Sequence, residues 1–420
     1  MNEHHLFERD CGILLHPTSL PGDFGCGDFG PGSHEWLEIL ASADQSLWQL
    51  LPLCPPGYGE SPYQGVSAFA ANPMLISPRN LHQLGLLDRH ELDAAKLPRT
   101  TSIDFGQVHA SKRKLLGATS ERFFALPANH RLRREFDGYR EAEADWLDDY
   151  VLYAAIKRHL HERPWYEWSD ELKTPDPASR ASAADALAAE INRARFEQFI
   201  ARRQWLELRA AAADWGIRII GDLPIFVALD SADVWVHREL FRLRGDNRPA
   251  VVAGVPPDYF SASGQLWGNP LYDWQTHMRD NFAWWRLRLR KLLEWVDVVR
   301  IDHFRGFAAC WEVPGGAASA VDGSWQASPG EAFFNAMLGE FGKPLPFIAE
   351  DLGVITDDVI QLRERFGLPG MRVMQFAFGD DPMRQTFIPE AFGADCVAYT
   401  GTHDNDTVQG WFNSKPGESS

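Results

Sequence analysis

Four acids stand out by their positions. Asp222, Asp302, Glu350 and Asp404 each lie at or just beyond the C-terminal end of a short apolar run. If those runs are parallel strands of one (β/α)8 barrel, their ends converge on a single face, and that face holds the active site. Two carboxyls about 5 Å apart on such a face support a retaining double displacement at a sugar acetal. One attacks the anomeric carbon; the other protonates the leaving oxygen and then deprotonates the incoming acceptor. A third acid can bind or distort the sugar and stabilise the oxocarbenium-like state.

Each residue also has a plainer reading. Arg300 and Asp302 are two apart, so on a strand they share one face, and the guanidinium favours the ionised carboxylate that a nucleophile needs. A buried ion pair closing a barrel would look the same. Glu350 and Asp351 are neighbours, so only one can face a site; Glu reaches farther, but either can cap the next turn. His403 and Asp404, in GTHDND, suit sugar hydroxyls. A metal there would need a second His at ligand spacing, and none lies nearby. Asp222, in GDLPIFV, can contact substrate or hold a loop. Tyr63 in GESPYQG, and Tyr259, Phe260 and Trp267 in PPDYFSASGQLWGNP, sit among Gly and Pro. Aromatics there can stack on sugar faces or pack beneath their own loop.

The acids must be positioned by the runs that carry them. Gly12–His16, Leu47–Leu53, Ile217–Leu223, Asp297–Asp302, Phe347–Asp351, Met371–Phe378 and Cys396–Asp404 are apolar on both faces, as buried parallel strands are. Helical patterns at Gly32–Ala43, Ala183–Trp215, Phe282–Trp295 and Thr356–Phe366 alternate with them, which implies βα units. The expected fold is α/β, a (β/α)8 TIM barrel with helical and loop insertions. Residues 1–85 begin the catalytic barrel with strands one and two. Residues 86–200 form a mostly helical insertion. Residues 201–420 continue the barrel with strands three to seven and hold a long loop, 245–270, of the kind that is usually functional.

Composition narrows the class of function. The 420 residues carry 41 basic and 58 acidic side chains, a formal charge of −17 without a basic cluster, which disfavours nucleic acid. Five scattered cysteines form no CxxC pair and suggest a reducing, cytoplasmic setting. The N-terminus has no apolar signal region and no apolar run reaches 18 residues, so neither secretion nor a membrane span is expected. The 16 Trp are mostly core material, with a surplus that suits sugar stacking.

Taken together, the motifs resemble the 4-α-glucanotransferases (amylomaltases, or disproportionating enzymes) of glycoside hydrolase family 77. The matching stretches are GILLHPTSLPGDFGCGDFG, WQLLPLCPPGYGESPYQGVSAFAANP, GDLPIFVALDSADVW, VAGVPPDYFSASGQLWGNPLYDW, VVRIDHFRGF, FIAEDLGVIT, GLPGMRVMQFAF and YTGTHDNDT, spread from residue 11 to 407. The resemblance implies Asp302 as nucleophile, Glu350 rather than Asp351 as acid/base, and Asp404 as the transition-state stabiliser. Arg300, His403, Asp222 and Tyr63 match substrate-contacting positions. Pro257–Pro270 matches a loop covering the glucan, where Asp258, Tyr259 and Trp267 would contact sugar. It also implies no metal or organic cofactor, and maltooligosaccharides and other α-1,4-glucans as the partners.

Family members continue past the THDN motif into a last strand and helix. The expectation is therefore a barrel lacking its eighth βα unit, with two exposed sheet edges and compromised stability and activity. An α-1,4-glucan hydrolase and a glucan-binding fragment of impaired activity are the alternative readings.

Overall fold

In the computed structural model the described residues are 6–7, 9–173, 176–257, 261–378 and 383–414. Eleven strands form among them: β1 (Gly12–Leu14), β2 (Leu47–Gln49), β3 (Arg218–Pro224), β4 (Val251–Val255), β5 (Gln265–Pro270), β6 (Val298–Asp302), β7 (Ala309–Pro314), β8 (Ser324–Ala327), β9 (Phe347–Ala349), β10 (Gly370–Val373) and β11 (Cys396–Tyr399). Seven of them coincide with the seven apolar runs. β1, β2, β3, β6 and β9 pair in that order, all parallel, and β10 pairs with β11, also parallel. The Ala349 N–H donates to the Pro369 carbonyl (2.9 Å), joining the end of β9 to the start of β10.

β2, β3, β6, β9 and β10 are buried on both faces, which is why they read as apolar runs, whereas β1 and β11 are partly exposed. On one face Leu47, Ile220, Val298, Ile348 and Met371 make a single cluster, with Val397 and Tyr399 packed against it. The opposite face gives Trp48, Ile219, Val299, Ile301 and Ala349 to the main core. The helix Ala188–Asp214 lies over that outer face. Its Trp205 Nε1 donates to the Trp295 carbonyl (2.9 Å), and its Arg209 pairs with Asp297 (2.8 Å). Asp297 in turn accepts from the Ile219 N–H (2.8 Å), pinning the entry of β6 to β3. Gly12 is required by close approach: a Cβ there would lie 2.2 Å from the Leu47 carbonyl oxygen.

The helices Phe105–Ala125, Arg131–Ala142 and Leu147–His159 pack on Ala188–Asp214, the first two through a knot of rings from Phe123, Phe136, Tyr139, Phe196 and Phe199. The stretch 245–270, expected as a loop, instead carries β4 and β5. They join β7 and β8 in an antiparallel sheet of order β5-β4-β7-β8. Here the polar, Gly- and Pro-rich composition reflects a half-exposed β5 and a close crossing at Gly254, where a Cβ would lie 2.6 Å from the Gln265 carbonyl oxygen, rather than absence of structure.

Candidate active site

Strand register alone assembles the centre. β3 pairs with β6 as Asp222↔Arg300 and Pro224↔Asp302. β6 pairs with β9 as Arg300↔Ile348 and Ile301↔Ala349, so Asp302 and Glu350 come side by side at the next step. Adjacent strands run about 4.8 Å apart, and the Glu350 N–H donates to the Ile301 carbonyl (3.0 Å), so the backbones carrying the two carboxyls are neighbours. Residues two apart share a face. Gln49, Asp222, Arg300, Glu350 and Tyr399 therefore stand one layer beyond the apolar cluster of Leu47, Ile220, Val298, Ile348 and Val397.

Contacts follow that layering. Arg300 is buried; its Nη1 donates to both Asp222 oxygens (2.8 and 2.9 Å) and to Asp302 Oδ1 (3.0 Å), and its Nε points at Met371 Sδ (3.3 Å). Tyr63 OH donates to Asp222 Oδ2 (2.6 Å). The His403 ring stacks on Tyr63, with centroids 5.1 Å apart and planes 11° apart. Tyr399 OH donates to Gln49 Oε1 (2.7 Å), a contact from β11 to β2. Glu350 accepts from the N–H of His303 at Oε2 (2.7 Å) and of Leu352 at Oε1 (2.9 Å). The Trp267 ring meets the His303 ring edge to face at 4.7 Å.

The neighbour of Glu350 turns away. Asp351 accepts from the Met371 N–H (2.7 Å) and pairs with Arg372 (3.3 Å) and Arg363 (3.4 Å). Asp404 does not meet the two central carboxyls. It lies on the turn after β11 with its side chain 76% exposed, and its carboxylate stands 3.4 Å from His403 Nε2. It is thus tied to the centre through the His403–Tyr63 stack. Asp258 and Tyr259 lie outside the described residues, as does Phe260. Sequence reasoning missed His303, Gln49, Tyr399 and the Leu352 amide; of these only His303, beside Asp302, had a positional signal.

Charge is crowded around one cation. Burial raises the Asp302 carboxyl, the Arg300 guanidinium opposes that, and the charges of Asp222 and Glu350 raise it further. Burial likewise raises Glu350, opposed by Arg300 and by the two amide donors. For Arg300, burial works against the charge, but Asp222, Asp302 and Glu350 outweigh it and keep the guanidinium protonated. Burial holds His303 down to about 4 and lowers His403 as well, so both rings are neutral near pH 7. A pocket opens behind Tyr63 and Asp222 toward Arg288 and Trp295. Neither Asp302 nor Glu350 lines it, so it adjoins the centre without being the reaction cleft. Among the described residues no group of three or more His, Cys, Asp or Glu is placed to hold a metal ion, and no helix is long and apolar enough to cross a membrane.

The chain is similar to known proteins over most of its length. A family model described as 4-alpha-glucanotransferase matches residues 15–420. A 4-alpha-glucanotransferase of Thermus thermophilus is 48% identical over 406 residues, covering 96% of this chain and 80% of its own. A chloroplastic/amyloplastic 4-alpha-glucanotransferase of Solanum tuberosum is 42% identical over 98% of this chain and 71% of its own. An amylomaltase of Streptococcus agalactiae, solved with acarbose, superposes with a TM-score of 0.92 at 37% identity, covering 96% of this chain and 81% of that one. With a family model over all but its first 14 residues and relatives this similar, the chain belongs to the 4-alpha-glucanotransferases, glycoside hydrolase family 77.

Proposed function

We propose that Asp302, Glu350 and Asp404 transfer segments of α-1,4-glucan to the 4-OH of glucose or of another α-1,4-glucan. The observation that carries this is the side-by-side placement of Asp302 and Glu350 on β6 and β9, with a cation on only one of them. Arg300 contacts Asp302 directly, whereas Glu350 has no ion-pair partner among the described residues. The direct contact with Arg300 favours the anion on Asp302, the form a nucleophile needs, and leaves Glu350 to supply the proton. An Asp302 oxygen attacks C1 of the donor sugar, the C1–O4 bond breaks, and the Glu350 proton passes to the leaving O4. An acceptor 4-OH then attacks C1, Glu350 takes its proton, and the ester to Asp302 opens. Asp404 is exposed on the turn after β11, and a bound sugar is needed to bring it into play. In this reading Tyr63, Asp222, Arg300 and His403 contact the donor sugar, and the relative solved in complex with acarbose supports a saccharide ligand.

The finer architecture we infer is a (β/α)8 barrel. The seven parallel strands lie in chain order, their inner residues form one cluster, and the Tyr399–Gln49 contact spans from β11 to β2. The five cysteines are free, which supports a reducing cytoplasmic setting.

Transfer demands that the ester meet a sugar before water. Asp258, Tyr259 and Trp267 belong to the covering segment, and Trp267, edge-on to His303 beside Asp302, is placed to hold the acceptor and exclude solvent. Trp267→Ala is expected to raise the ratio of hydrolysis to transfer by about 2- to 10-fold, the loss of one aromatic contact. An unchanged ratio in a product assay would remove that role.

The pH profile offers another check. Burial raises both central carboxyls, and the Glu350 charge raises Asp302 further, which favours a proton held by the pair. A bell-shaped kcat/KM profile is expected, active while one proton is held, with its alkaline limb above neutrality. An alkaline limb below about pH 5, where an ordinary Glu titrates, would show that no proton is shared. The function itself is tested by incubation with maltotriose. Free glucose plus longer glucans supports transfer; shorter products alone indicate a hydrolase, and binding without turnover a glucan-binding protein.

A further inference from the structure

The two amides that hold Glu350 come from different segments. His303 lies just after β6, with φ 52°, a left-handed value uncommon outside glycine, and Leu352 lies just after β9. Two residues beyond His303, the Arg305 guanidinium donates to the carbonyl of Val354, two residues beyond Leu352. Arg305 is buried, and among the described residues no carboxylate pairs with it. Its flat face lies 3.8 Å from the centroid of the Trp325 ring, on β8. A buried cation without an acid is costly unless something else holds it, and here a carbonyl and an aromatic face do so. Lysine could not supply both a planar stack and a directed N–H.

We propose that Arg305 is a positioning residue for Glu350, stapling the turn that begins at His303 to the segment 352–354 and so fixing the two N–H groups that aim the carboxyl. The proposal rests on the reading of Glu350 as the acid/base. Trp325 clamps the staple from the antiparallel sheet. Without it the amides drift, and Glu350 is misaimed although nothing touching substrate has changed. The carboxylate also loses donors that favour its ionised form, so its proton is held to higher pH.

The test compares two donors. Arg305→Met is expected to lower kcat/KM for maltotriose by about 10- to 100-fold, the scale of a small misplacement, mainly through kcat. For α-maltosyl fluoride, whose C–F bond breaks without a proton from Glu350, kcat/KM should fall by less than about 3-fold. The alkaline limb with maltotriose should move upward. Trp325→Ala should act in the same direction, and Trp325→Phe, which keeps a stacking face, should restore most activity. If Arg305→Met does not fold, the Trp325 pair decides. Equal losses on both donors, an unmoved alkaline limb, or unchanged kinetics would overturn the proposal. A wild-type protein that makes no longer glucans from maltotriose would overturn the functional reading instead.

Discussion

Asp302→Asn is expected to abolish transfer and hydrolysis together, with kcat down by at least about 10⁴-fold, the scale seen when a nucleophile is removed. The amide cannot form the ester, so both second steps lose their common intermediate. Folding should survive. Asp302 shares one guanidinium with Asp222, beside a third carboxyl, Glu350, and the charges of Asp222 and Glu350 both oppose its ionisation. Exchanging it for a neutral isostere relieves that crowding, so the melting temperature should stay level or rise, as at other sites where function strains the fold. Thermal unfolding and a maltotriose assay on the same sample check both halves. Residual transfer near the wild-type rate would assign the nucleophile elsewhere.

Arg300→Met reverses the balance between stability and activity. The guanidinium is 4% exposed and the Asp222 side chain fully buried, so removing the cation strands buried carboxylates. The expected loss is about 3–5 kcal/mol at pH 7, along with nearly all activity. The sign of its pH dependence follows from Asp302. Its folded-state pKa is already raised by burial, and loss of Arg300 takes away the influence that lowers it. A carboxyl whose folded value lies above its unfolded value contributes stability at low pH and loses it as pH rises. The deficit relative to wild type should therefore be smallest near or below about pH 4 and grow toward neutrality. Denaturant melts across that range test it; a deficit independent of pH would mean that packing, not charge, is what was lost. A double variant with Asp222→Leu should recover part of the stability but none of the activity, because the stranded partner goes too.

What the sequence discloses here depends on whether a residue works through its own strand or through a distant one. The parallel strands are legible because burial on two faces makes VVRID and RIIGDLP mostly apolar, with their few charges, Arg300 and Asp222 among them, paired inside the site. The acids at their ends are legible for the same reason: a charge that closes an apolar run is conspicuous. β5 (QLWGNP) and β8 (SWQA) are not, since their exposed residues carry neither alternation nor apolar weight. Glu350 and Asp351 were indistinguishable as neighbours; they part because Arg363, Arg372 and the Met371 amide, from other segments, claim Asp351. The donors to Glu350 are main-chain groups, which any residue type supplies, so no spelling marks them. Arg305 shows its use only when Trp325, 20 residues on, is laid against it.

The antiparallel sheet draws β4 and β5 from before β6 in the chain, two helices upstream of it, and β7 and β8 from after it, so the strand bearing Asp302 is flanked in sequence by a hydrogen-bonded unit of its own. That unit supplies Trp267 without sharing a ladder with the parallel strands. Redesign of acceptor preference can therefore be confined to β4 and β5. Libraries varied there would alter which sugars are admitted while leaving the chemistry intact, whereas the same number of changes at the ends of β3, β6 or β9 would dismantle it.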